Sequence, residues 1–217
     1  MAAAERECWD YWQTLDALML RGLGTTERHL TLLAKSNVFP PASGSGPSNW
    51  LFDPSQVEPL IKRRTLRIDP ASLARIGERG ALVIRHTYPK PDPTDVRAHM
   101  GWNEHWTERK KIEATRQYWQ ATDLDASTLV EQKALLVATV GHFTVGLWHI
   151  LALDHTEADD WIEAPRGNWF FIDNQNRQRR AFRVRPVDDP GAHAWYHRWI
   201  PSLKRGVSTV QYSRDSV

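Results

Sequence analysis

The sequence predicts a mixed α+β fold with an N-terminal helical half, a long central helix and a small antiparallel sheet or hairpin in the C-terminal third. Three observations predict it. Apolar side chains recur at helical spacing over residues 5–21 and 25–36, and over residues 94–122 Trp102 and Trp106 lie four apart while Ile112 and Trp119 lie seven apart. Residues 169–185 instead place two strand-like runs around a polar turn.

In order along the chain, Trp9, Trp12, Leu15, Leu18 and Met19 form a first helical stripe that stops at Gly22. A second helix starts at Thr25 or Thr26 and runs through Leu30, Leu32 and Leu33 to Ser36. Because this span is net acidic, the two are expected to form an ordinary helical hairpin rather than a helix-turn-helix. Residues 39–48, rich in Pro, Gly and Ser, read as a mobile loop or linker. The expected organisation is a helical hairpin over 1–38, a linker over 39–48, a main α+β body over 49–205 and a loosely ordered tail over 206–217.

Within the body, Asp53-Pro54 and Asp69-Pro70 each couple an N-cap to the proline favoured at the first helical position. Ala81–His86 is an apolar run of strand length, closed by Pro89, Pro91 and Pro93. Ala134–Leu153 is a stretch of 20 residues without a formal charge, long enough for a bilayer span. Its histidines and glycines, and the lack of a following basic cluster, favour a buried helix or a buried pair of strands. Trp169–Ile172 and Arg180–Arg185 flank Asp173-Asn174-Gln175-Asn176 and predict a hairpin. After Asp189-Pro190-Gly191, a short helix is expected through Trp195, Tyr196, Trp199 and Ile200, ended by Pro201.

Charge is segregated along the chain although the total is only +2. Residues 61–90 carry 8 Lys/Arg against 2 Asp/Glu, residues 166–217 carry 10 against 4, and residues 91–165 carry 6 against 13. With 41% hydrophobic and 25% charged residues, wholesale disorder and a polytopic membrane protein are excluded. The single Cys8 rules out an internal disulfide and four-thiolate zinc modules, and its acidic neighbours disfavour a nucleophilic thiolate. Charges near the N-terminus stand where a secretory signal needs its apolar core, so a cytoplasmic protein without a membrane partner is expected. No cofactor is expected: Ser43-Gly44-Ser45-Gly46 is followed by Pro47 and lacks the lysine of a phosphate loop.

The Arg-rich second arm of the hairpin is the sharpest candidate site. Strand alternation would put Arg183 and Arg185 on one face, about 6.6 Å apart, where they could meet separate phosphates. Arg177, Arg179 and Arg180 extend that surface, and Lys62, Arg63, Arg64 and Arg67 form a second basic patch that would also complement a helix C-terminus. Trp169, Trp195 and Trp199 neighbour the arginines and are the expected stacking platforms, whereas Trp9, Trp12, Trp119 and Trp148 read as core. These features favour a non-catalytic nucleic-acid-binding protein or nucleoprotein subunit, for DNA or RNA alike. One alternative is a scaffolding protein or homo-oligomer whose complementary charged surfaces bind protein. The other is a metal-assisted hydrolase, with ligands drawn from His149, His155, Asp159, His193 and His197; the last two could share an ion at helical spacing. No transition metal is expected, because none of these matches a fixed signature, and Glu131-Gln132-Lys133 is too common a tripeptide to signal a nuclease.

Overall fold

The structure, a computed structural model, describes residues 8–91, 99–116, 119, 122–154, 162–164, 168–172, 178–203 and 209–212. It opens with β1 (Trp9–Asp10), α1 (Tyr11–Leu20) and α2 (Glu27–Lys35), then β2 (Leu51–Phe52), which pairs antiparallel with β1. Asp10 caps α1 through a reciprocal bond with Gln13. The turn between the helices uses Gly22 and Gly24, both with positive φ (65° and 64°), a region that glycine enters without steric cost. The buried face of α1 is Tyr11, Thr14, Leu15 and Leu18. Trp12 and Met19 are each 57% exposed, so the stripe is rotated from its expected phase and Trp12 is not core.

The Asp-Pro device works where the sequence places it. Asp53 caps α3 (Pro54–Ile61) and Asp69 caps α4 (Pro70–Arg75), each accepting a backbone N–H of the first turn. There follow β3 (Gly80–His86), β4 (Lys90–Pro91) and β5 (His99–Met100), the last two an antiparallel pair. The long central helix is replaced by two short ones, α5 (Glu108–Arg116) and α6 (Asp123–Glu131). Two local features account for this. Gly101 has φ 93° and lies so close to the Tyr88 carbonyl that a Cβ there would sit 2.2 Å from its oxygen. Trp119 exchanges two backbone hydrogen bonds with Arg180 (2.9 and 3.0 Å), which a continuous helix could not do, and Thr122 then caps α6.

The uncharged stretch is a strand pair, β6 (Leu135–Val140) and β7 (Phe143–Asp154), joined through Gly141 (φ 58°) and His142. Among the described residues, no helix is long and apolar enough to cross a membrane. After β7 come β8 (Ile162–Ala164), β9 (Asn168–Ile172), β10 (Gln178–Arg179), β11 (Ala181–Pro186), α7 (Pro190–His193) and β12 (Thr209–Tyr212). The expected C-terminal hairpin survives only as β9–β10, within a small sheet of order β10-β9-β8. Its longer arm, β11, instead pairs antiparallel with β7. Within the segment read as a loose tail, β12 pairs antiparallel with β3.

The main sheet has the order β11-β7-β6-β3-β12, with only β3 and β6 parallel. Its alternating side chains build two cores. Leu82, Ile84, Leu136 and Ala138 join α1 to α3, Trp102, Trp148 and Leu129 on one face. Ala81, Val83, Leu135 and Val137 join Leu73, Ala192, Trp195 and Ile200 on the other. Leu15, Leu18, Leu30 and Leu33 of the N-terminal helices therefore belong to the same apolar cluster as the sheet.

Candidate binding cleft

The strand β7 begins irregularly, and that irregularity organises the cleft. Its register with β6 shifts between Ala138 and Thr139, leaving Val145 as an extra residue. Thr144, fully buried, then faces the turn after α7: its hydroxyl donates to the Trp195 carbonyl (2.6 Å) and accepts from the Arg198 N–H (2.7 Å), and its carbonyl accepts from the His197 N–H (3.2 Å). Clamped in this way, His197 adopts φ 53°, in the left-handed region that few non-glycine residues enter. Trp199 ties the same turn to the basic segment: its indole N–H donates to Leu60 O (2.9 Å), and the Leu66 N–H donates to Trp199 O (2.6 Å). Arg63 is thereby brought to the wall that holds His193, Tyr196, His197 and Arg198, an open hollow of about 600 Å³.

A narrower cavity of about 210 Å³ lies on the other side of Tyr196 and His193. Glu108 and Lys111 of α5 line it, and Glu104 holds the side chains behind them. Glu104 accepts from the indole N–H of Trp102 (3.0 Å) and from Lys111 Nζ (3.2 Å), and the Tyr196 hydroxyl approaches the same carboxylate at 3.5 Å. Glu108 accepts from the Trp148 indole at 2.7 Å. Lys111 stands 5.2 Å from the centre of the Trp102 ring. Gly146 makes this packing possible, since a Cβ there would come within 2.2 Å of the Trp148 ring.

The electrostatics follow from burial and neighbours. Burial, reinforced by the carboxylates of Glu104 and Glu108, pushes the Tyr196 phenol well above its usual value, so it remains a neutral donor. Burial also pulls the His197 imidazole below its usual value; Arg63, Lys111 and Arg198 act in the same direction and Glu104 against it. His197 stacks on Tyr196 at 4.0 Å and on Phe143 at 5.5 Å between ring centres. Its ring lines the basic outer hollow beside Tyr196, which also lines the inner cavity together with Glu108 and Lys111.

Several expected site residues gather here and others do not. Arg63, Arg64 and Arg67 are exposed, Lys62 is paired with Glu58, and Arg183 and Arg185 are exposed on β11, with Arg185 paired to Asp188 at 3.0 Å. Asp188 lines the outer hollow, so β11 leads into the cleft. Arg179 is half-buried, and Arg180 is fully buried, so it adds nothing to a phosphate-facing surface. Trp195 and Trp199 are 4% and 0% exposed; they are core, and no base can stack on them. Arg177 and the Trp169 side chain lie outside the described residues, as do His155 and Asp159.

The helix expected through Trp195 and Trp199 is displaced to Pro190–His193, where Asp189 caps it. His193 and His197 therefore do not share a helical face. His149 bonds Glu78 at 2.8 Å. Among the described residues no three His, Cys, Asp or Glu side chains gather as metal ligands. Sequence reading missed Glu104, Glu108, Lys111, Tyr196 and Arg198, whose only signal was their nearness to the tryptophans. No family model, curated protein or solved structure matches this chain.

Proposed function

We propose that the protein binds single-stranded nucleic acid, with the outer hollow taking backbone phosphates and the inner cavity taking one unstacked base. The observation that carries this reading is the convergence of Arg63 and Arg198, from segments far apart in the chain, on one open hollow. Arginine forks suit phosphate oxygens, and exposed Arg64 and Arg67 on one side and Arg183 on the other extend the track. The inner cavity, at about 210 Å³, has room for one flat ring and not for a base pair. Glu108 and Lys111 on its wall offer an acceptor and a donor to base edges.

The test is fluorescence anisotropy of a labelled mixed-sequence single strand across a salt series. The parent is expected to bind with a steep salt dependence. Arg63→Ala combined with Arg198→Gln is expected to reduce the slope of log K against log salt by about 1.4, two phosphate contacts at ~0.7 each. An unchanged slope, or no binding by a folded parent, overturns the reading. The left-handed, neutral His197 favours a second reading for an RNA strand, in which its imidazole takes the proton of a ribose 2′-hydroxyl, the 2′-oxygen bonds to the adjacent phosphorus, and the 5′-oxygen leaves with a proton from water, giving a 2′,3′-cyclic phosphate. Gel analysis of the same samples, with RNA as the strand, separates the two: intact strands mean binding alone, and cleavage lost in His197→Asn means catalysis.

A further inference from the structure

A further cavity, of about 520 Å³, opens where the parallel strands β3 and β6 end and α2 begins. Crevices beyond the carboxyl ends of parallel strands are where sheets of mixed α/β packing present ligand groups. Arg28 and His29 come from α2, Arg85 and His86 from β3, and Gly141 from the turn after β6. Among the described residues, Glu27 is the one carboxylate on this wall, beside the two guanidinium groups of Arg28 and Arg85.

Arg85 is the unusual member. It is half-buried opposite Thr139 of β6, its Nη2 is shut off from solvent, and that nitrogen has no hydrogen-bond partner among the described residues. Burial lowers its basicity, and among the described residues no carboxylate acts on it. A partly buried guanidinium without a counter-charge is costly to the fold, and an anion held by the part of Arg85 that lines the cavity offsets that cost. The surrounding groups are donors in several directions, which suits a tetrahedral oxyanion; Arg in particular can hold two of its oxygens at once.

We propose that this cavity is a binding site for a phosphate group, anchored by Arg85 and completed by Arg28. It is separate from the cleft at Arg63 and Arg198 and does not depend on how that cleft is read. The space beyond the arginines admits the organic part of a small phosphomonoester as well as free phosphate.

Thermal unfolding of the full chain, with inorganic phosphate and with glycerol 2-phosphate as probes, tests the proposal. The expected result is a concentration-dependent rise in Tm, by preferential binding to the folded state. That rise persists in Arg63→Ala/Arg198→Gln, is lost in Arg85→Met and is weakened in Arg28→Gln, a surface change that leaves the fold intact. Arg85→Met without ligand should melt at or above the parent, because a methionine needs no counter-charge there. A larger rise with glycerol 2-phosphate identifies an organic phosphate as the ligand, and a larger rise with inorganic phosphate identifies the free ion. Absence of any rise in the parent, or an undiminished rise in both Arg85→Met and Arg28→Gln, overturns the proposal. A rise lost only in the Arg63/Arg198 variant assigns phosphate to the cleft and likewise overturns it.

Discussion

His197 owes its unusual backbone to Thr144, and the pair makes two measurable statements. Replacing Thr144 by Val removes the hydroxyl that bonds both Trp195 O and the Arg198 N–H. Leaving those buried groups unsatisfied should cost about 1–3 kcal/mol in urea unfolding. The second concerns protons. Because the folded state holds His197 below its ordinary value of 6.5, the unfolded chain binds the proton first. Stability contributed by the neutral ring is thus complete above that value and declines as pH falls through 6.5 toward the folded-state value. Comparing urea unfolding of the parent with His197→Asn across this range isolates the contribution, since asparagine tolerates the left-handed backbone; parallel curves would refute it. Little of this was legible in sequence. The spacing of His193 and His197 suggests a helix, but Asp189-Pro190 starts that helix too early, and its C-terminus falls at His193, leaving His197 in the turn beyond it.

At the scale of elements, short-range signals were readable and long-range ones were not. Asp53-Pro54 and Asp69-Pro70 mark helix starts because cap and proline act within one turn. The charge-free stretch is buried because a charge at the centre of the sheet would have no water; that it forms two strands was one of two options its periodicity left open. By contrast, the break between α5 and α6 depends on Trp119 meeting Arg180, a contact that no local pattern announces. A second distant contact, the buried pair Arg116–Asp154 at 2.7 Å, joins α5 to the end of β7. Asp154→Ala takes one buried carboxylate away from the guanidinium and should destabilise the protein, by no more than about 3–5 kcal/mol. Arg116→Met with Asp154→Leu should recover most of that loss, and calorimetry on the single and double variants checks both. Gly146→Ala drives a methyl group into Trp148, and a loss of ~1–3 kcal/mol with a shifted tryptophan emission is expected.

For the whole molecule, charge segregation along the chain becomes juxtaposition in space. The acidic middle contributes Glu108, and the two basic stretches contribute Arg63 and Arg198, to one cleft with its paired lobes. Segment charges could be counted from sequence; their convergence needed the crossing of Trp199 beside Thr65 and Phe143. The shared apolar cluster carries a prediction of its own. Removing residues 1–38 strips Leu15, Leu18, Leu30 and Leu33 from the core of the sheet. A 39–217 fragment should therefore be expanded and lack a cooperative melt by calorimetry, whereas a fragment that melts cooperatively would mean that the helices are an independent unit.

The order of strands in the main sheet bears on how the chain is made. Its two outer strands, β11 and β12, follow all its other strands in the sequence. During synthesis, β3, β6 and β7 emerge first, with the backbone donors and acceptors of both β3 and β7 open along their outer sides. Open edges of this kind recruit other chains. A ribosome paused before residue 181 therefore holds a nascent sheet that is sticky on both flanks, and chains released at that point should enter inclusion bodies far more readily than those extended through Tyr212.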